Sequence, residues 1–172
     1  FDLGRPLHVF DIKKIKGNLK VLKLEKEENF RGLDKKDYLL KKDDLVIRDN
    51  EKTLSLAGIM GGFNSCVDED TTDVFLEVAN FNKSRIANTG RRIGILSDAR
   101  YRFERGIDPE GILEGLEIAT KLIIDICEGT FSESTFSGRN NSRRNLIKYD
   151  INSFEKTVGY KIKKEKQIKF LS

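Results

Sequence analysis

The sequence predicts an α+β fold, with strands concentrated in its first half and helices after them. Two patterns carry this prediction. Short apolar runs separated by turn residues fill the chain up to about residue 81. Three segments between residues 82 and 129 then show helix punctuation, a capping residue at one end and glycine at the other.

The elements follow in order. Residues 19–25, LKVLKLE, alternate well enough for a strand, and a polar, turn-rich stretch runs on to Tyr38. LVIRDNEKTLSLAGI reads as a hairpin, with Leu45–Arg48 outward, Asp49–Asn50 near the turn and Thr53–Ala57 returning. GIMGG (residues 58–62) breaks that strand, and polar FNSCVDEDTTD leads to VFLEVANF (74–81), a buried strand with Glu77 in its middle. Asn82 caps a helix over 83–93 that Gly94 ends, and Ser97 caps a shorter one through Arg105 that Gly106 ends. Asp108 and Pro109 suit the N-cap and first position of a third helix. Its stripe of Ile112, Leu116, Ala119, Ile123 and Ile126 would pack on the sheet along about 30 Å. Cys127 falls on this apolar helix and is expected in the core.

After Gly129 the composition turns to Ser, Asn and Arg, which reads as a linker. LIKYDI is expected as a strand, Ser153–Val158 as a helix ended by Gly159, and KKEKQIKFLS as the start of another. This tail is too short for its own core, so residues 1–138 are expected as one domain and 139–172 as a linker plus the opening of a next one. The chain starts FDLGRPLHVFD without an initiator Met, so an excised fragment of a longer protein is expected.

The chain has 172 residues, 38% hydrophobic and 35% charged, a globular balance. Its net charge of +4 is uneven: residues 139–172 carry ten Lys/Arg against three Asp/Glu, and residues 1–138 carry twenty-two against twenty-five. A basic end suits either nucleic acid or a solvated lysine-rich surface. No run approaches a membrane span, so no membrane partner is expected. Two isolated cysteines in a lysine-rich chain point to a reducing cytoplasm, and with one His they lack the paired spacing of a zinc site.

Few residues stand out chemically. Glu77 lies among Val74, Phe75, Leu76, Val78, Ala79 and Phe81, where an unpaired carboxylate is prohibitively costly. It is either the buried partner of an Arg or backbone N–H, or it lines a pocket and awaits a ligand's donor. His8, the only histidine, is either structural or the one side chain with a pKa suited to proton transfer near neutrality. Gly58, Gly61 and Gly62 match neither a dinucleotide fingerprint nor a P-loop, but allow close approach to the backbone, and equally a bulge or sharp turn. Helical spacing pairs Arg100 with Glu104 and Asp98 with Arg102, while Arg91 and Arg92 must pair with distant acids or meet phosphate. There is no nucleophile–base motif and no metal cluster.

The order LGRPLHVFD, LAGIMGG, VFLEVANF and GRRIGILSDARYRFERGIDPEG resembles the editing domain of bacterial-type phenylalanyl-tRNA synthetase beta subunits, from residue 3 to about 128. The resemblance implies a β-sandwich of unusual topology backed by helices, a three-layer β/β/α arrangement with mixed strands. It implies hydrolysis of the ester in tyrosine wrongly attached to tRNA(Phe), in a pocket lined by His8, Gly58, Gly61, Glu77, Ser97 and Ala99. On that basis Glu77 is expected to accept the tyrosyl O–H, and backbone N–H groups near Gly61 and Gly62 to hold the oxyanion. Ser97, where many relatives carry Thr, would position the ester or a water, and His8 would orient the water or the terminal ribose. Arg100 stands where Ser is common. No metal or cofactor is expected for this step; ATP and Mg²⁺ belong to the alpha subunit of the parent alpha2beta2 assembly. The rivals are a non-catalytic, tRNA-binding scaffold with a degenerate site, and a nucleic-acid binder driven by the basic tail.

Overall fold

The computed structural model describes residues 3–138 and 146–171. The chain divides into two compact units, Phe1–Asn140 and Asn141–Ser172.

The first unit holds eight strands: β1 (His8–Asp11), β2 (Lys20–Lys23), β3 (Glu28–Arg31), β4 (Asp37–Leu40), β5 (Leu45–Arg48), β6 (Thr53–Leu56), β7 (Met60–Gly61) and β8 (Val74–Glu77). They form a four-stranded sheet in the order β2-β5-β6-β7 and two ribbons, β1-β8 and β3-β4. The Gly32–Gly62 bridge joins the tip of the β3-β4 ribbon to the chain leaving β7. Every described ladder is antiparallel, so the expected mixing of strand directions gives way to antiparallel pairing, which short hairpin connections permit.

The β5-β6 hairpin forms where the alternation places it, with a register shift at Ile47/Arg48. The Asp49 carboxylate ties the hairpin turn together, accepting from the N–H groups of Lys16 (2.8 Å), Glu51 (2.8 Å) and Lys52 (2.8 Å). These donors hold its pKa below the usual range against the opposing effect of burial. The stretch expected as turns up to Tyr38 contains β3 and β4, and the HVFD segment is a strand. Both were hidden because a four-residue strand with one or two buried positions has almost no periodicity.

Helix α1 (Lys83–Ile93) is capped by the Asn82 side-chain Oδ1, which accepts from Arg85 N–H, and ends at left-handed Gly94 (φ 78°). Helix α2 (Asp98–Arg105) runs from Ser97 to Gly106 as its caps predict. Helix α3 (Ile112–Cys127) starts later than expected, because the Asp108 carboxylate accepts from Glu110 N–H (2.9 Å) and makes a turn before the helix. Of its apolar stripe only Ala119 is buried, with Gly115 beside it; Ile126 is 78% exposed and Cys127 is exposed, so the thiol is not in the core. The reason is that only part of one helix face meets the sheet.

The core gathers Phe10, Leu40, Val46, Leu54 and Leu56 from the strands with Ile86 and Phe103 from the first two helices. Arg100 is buried and clamps the end of α1, donating from Nη1 to the carbonyls of Gly90 (3.1 Å) and Ile95 (2.5 Å) and from Nε to Glu104 (3.0 Å). It is a structural clamp. Arg92 finds its distant acid in Asp44, which also accepts from Thr89 Oγ1 (2.7 Å) and Lys41 N–H (2.8 Å).

In the second unit, helix α4 (Ile151–Val158) is capped by Asp150 and ended by Gly159, and α5 (Lys164–Leu171) follows. Residues 146–150, expected as a strand, are irregular, since nothing described pairs with them. Tyr149 donates to Gln167 Oε1 (2.7 Å), and Gln167 is the only buried residue described in this unit.

Removing Asp44 strands a hydroxyl, an amide and a guanidinium together. Asp44→Ala is expected to cost about 3 kcal/mol, seen as a lower urea midpoint with unchanged slope. Asp44→Asn, which keeps acceptor capacity, loses less.

Candidate active site

The β1-β8 register sets His8 directly opposite Glu77, and Phe10 opposite Phe75. Directly opposed residues share a face, so the imidazole and the carboxyl project from the same side, their Cβ atoms roughly 5 Å apart. The His8 ring meets Phe10 edge-on at 4.4 Å between centroids, and Phe10 is fully buried. That aromatic contact fixes the imidazole from below.

Glu77 is the last residue of β8, not its middle as the apolar run suggested; the chain turns irregular at Val78. Its carboxyl has neither a hydrogen-bond nor an ion-pair partner among the described residues. Burial pushes its pKa from 4.5 up to about 7. The residue as a whole is half-buried, so it is not sealed off. His8 Nε2 is likewise buried without a partner, and burial lowers the pKa of the ring, which leaves the imidazole neutral at pH 7. Buried polar atoms without partners are rare in folded proteins, and one of them directly opposite a half-buried carboxyl that also lacks a partner marks a place shaped for something else.

Glycine at 61 is what admits the imidazole. A Cβ there would lie 2.3 Å from His8 Cε1, 2.7 Å from Nε2 and 2.9 Å from Leu33 Cδ1. The Gly61 carbonyl accepts from Leu33 N–H (3.0 Å), which docks the β3-β4 tip beside the histidine. Leu33 therefore walls the site, and sequence reasoning missed it because β3 and β4 were themselves unseen.

The other candidates lie elsewhere. Gly62 N–H donates to the Leu54 carbonyl (2.8 Å), so it is already committed and does not face an oxyanion. Gly58, left-handed at φ 67°, sits beneath Phe81, Phe103 and Ile86 and shapes the core. The Ser97 hydroxyl donates to the Ile59 carbonyl (2.7 Å) and accepts from Arg100 N–H (3.1 Å), while Ala99 packs against the core. Ser97 thus braces the glycine turn from behind. The structure brings together His8, Glu77 and Gly61, with Leu33.

Two open clefts of about 270 and 250 Å³ flank Tyr101 on α2, and neither is lined by His8 or Glu77. No three of His, Cys, Asp and Glu among the described residues group as a metal site. No helix among them is long and apolar enough to cross a membrane.

The B3/4 domain family matches residues 1–128. The chain is 42% identical over its whole length to a phenylalanine–tRNA ligase beta subunit of Mesorhizobium japonicum, covering 21% of that protein. It is 53% identical over 80% of its length to that of Gluconobacter oxydans, covering 17% of it, and 45% identical over 94% to that of Bradyrhizobium diazoefficiens, covering 20% of it. The chain spans about a fifth of the length of these curated relatives.

The raised Glu77 pKa has a consequence for stability. Between pH 4.5 and about 7 the folded chain holds a proton here that the unfolded chain has released, so stability falls as pH rises through that window. Glu77→Gln lacks this loss. It is expected to match wild type near pH 4.5 and exceed it by roughly 3 kcal/mol at pH 8 in urea unfolding. His8, buried neutral, contributes the opposite slope below pH 6.5, but both proteins carry it, so it cancels in the comparison.

Proposed function

The chain belongs to the B3/4 domain family, and on that premise we propose that it is the editing module of a phenylalanine–tRNA ligase beta subunit. Its reaction is hydrolysis of the ester linking tyrosine to tRNA(Phe). The observation that carries this reading is the unpartnered Glu77 carboxyl facing the unpartnered Nε2 of His8.

Tyrosine differs from phenylalanine by one hydroxyl. An apolar pocket rejects an added hydroxyl poorly, whereas a site that bonds the hydroxyl can refuse the analogue lacking it by roughly 10⁴. Glu77 accepts the tyrosyl O–H, and the carboxylate form accepts it best. With phenylalanine bound, that buried oxygen stays unpaired, so the cognate ester gains nothing there.

Water attacks the ester carbonyl carbon, the bond to the ribose oxygen breaks, and that oxygen takes a proton. Free tyrosine and an RNA with its terminal diol restored are the products. A neutral imidazole offers one donor and one acceptor nitrogen, which suits His8 to orient the water or the ribose hydroxyl. Gly61 lets the ring stand at the wall of the site. On this reading the hydrolytic step calls for neither ATP nor Mg²⁺. In the parent assembly, which this reading takes as alpha2beta2 and cytoplasmic, both belong to the alpha subunit.

A second reading, a tRNA-binding scaffold with a degenerate site, is favoured by one observation. The Ser97 hydroxyl and the Gly62 N–H are both already bonded within the protein.

Deacylation of Tyr-tRNA(Phe) and Phe-tRNA(Phe) by the whole subunit assembly separates the two. The expected outcome is rapid release of tyrosine and slow release of phenylalanine by wild type. Glu77→Ala brings the two rates together, and His8→Ala or Gly61→Ala, which pushes the ring aside, slows tyrosine release 10²-fold or more. Equal wild-type rates on both substrates would leave only the scaffold.

A further inference from the structure

We propose that Phe63, with Arg31 and Lys35 beside it, is the platform on which an unpaired base at the 3′ end of the RNA stacks. The inference rests on the editing reading above and names the surface that presents the ester to His8 and Glu77.

The placement comes from the backbone. Gly62 is extended (φ −86°, ψ 140°), so Gly61 and Phe63 project to the same side of the chain. The face of Gly61 that admits the His8 ring therefore continues, one extended step on, into the Phe63 side chain. Phe63 opens a 3-10 turn over Phe63–Ser65 and is 37% exposed. Leu33, at 40% exposure, connects the two, since it touches the Gly61 position and lies in the same tip as Lys35.

The charges agree with an anionic partner. The Arg31 guanidinium carbon lies 5.6 Å and the Lys35 ammonium 5.8 Å from the Phe63 ring centroid. Both are near the outer limit of a cation–π contact, about 6 Å, so they stand beside the ring without being pinned to it. The neighbouring acids are engaged elsewhere or do not reach. Asp34 accepts from Tyr38 Oη (2.6 Å) and pairs with Lys36, and Glu28 holds Arg48 (2.7 Å) and Thr53. Asp37 is opposite Arg31 in the ladder, but no ion pair joins them. An exposed aromatic ring with two cations that lack carboxylate partners is the composition of a single-strand stacking site: the ring takes the base, the cations take the flanking phosphates. Lys35 is held at φ 63° in a turn closed by its N–H to the Gly32 carbonyl (2.9 Å), a conformation glycine would adopt more readily. The cation is thus kept at a position where the backbone alone would prefer to lose it.

The test is binding of the full chain to a labelled, non-aminoacylated single-stranded RNA of about ten nucleotides, against a blunt duplex of equal length, across a salt series. Wild type is expected to prefer the single strand. Phe63→Leu weakens that binding by roughly five- to a hundredfold with an unchanged salt slope, and Phe63→Tyr, which keeps a stacking face, binds as wild type. Lys35→Gly, which relaxes the turn and so leaves folding intact, reduces the slope of log K against log salt by about 0.7. Equal binding by wild type and Phe63→Leu, or equal binding of duplex and single strand, overturns the platform. Because the RNA carries no amino acid, this outcome is independent of hydrolysis: loss of deacylation with these results intact would remove the editing reading and leave the platform standing.

Discussion

Strand β1 pairs with β8 so that His8 stands opposite Glu77, two residues brought together from distant parts of the chain. A slip of one residue would send the carboxyl to the opposite face, because side chains alternate along a strand. Three features hold the register. Phe10 is wholly buried, Ile12 N–H donates to the Asp73 carbonyl (3.1 Å), and Thr71 Oγ1 donates to the Asp11 carboxylate (2.9 Å). The two hydrogen bonds sit at the end of the ribbon away from His8 and Glu77, and Phe10 backs the imidazole edge-on, so the alignment is secured without bonding the polar atoms of the site.

That arrangement is costly by itself. A half-buried carboxyl without a donor and a buried imidazole nitrogen without a partner both favour unfolding, and the two groups respond by shifting toward their neutral forms. The cost is borne by a core in which Leu40, Leu54, Leu56 and Ile86 are essentially sealed. Other buried polar groups show what a purely structural role looks like. Asp44, Asp49 and Arg100 each make several hydrogen bonds to backbone or side chains. The contrast between these satisfied groups and the His8–Glu77 pair separates scaffold from site within one small unit.

The glycine turn after β6 serves both ends. Gly58 lets Phe81 and Phe103 close over the backbone, Gly62 lets the β6 carbonyl of Leu54 come close, and Gly61 leaves the space the imidazole fills. Ser97 ties this turn to the start of α2 through the Ile59 carbonyl, so the helix layer braces the site without entering it. On the outer side the same turn passes into Phe63 and its two cations. On the proposed reading, recognition of the amino acid and of the RNA end shares this one stretch of backbone.

Much of the fold was legible because its signals are local. Asn82 with Gly94, and Ser97 with Gly106, bound α1 and α2 through contacts within a turn or two, and the β5-β6 hairpin needs only its own alternation. The start of α3 was misplaced because Asp108 suits an N-cap and a preceding turn equally well. Strands β1, β3 and β4 were missed, and Cys127 misjudged, because their surroundings come from distant segments. At the site, residue types and spacing alone identify Glu77 as a carboxyl in an apolar run and His8 as the sole histidine. That they face each other, that Gly61 and Leu33 complete their wall, and that Ser97 and Gly62 are already bonded emerge from the packed fold. Composition and spacing report what a residue can do; which partner it meets depends on strand register, and register is settled by long-range packing.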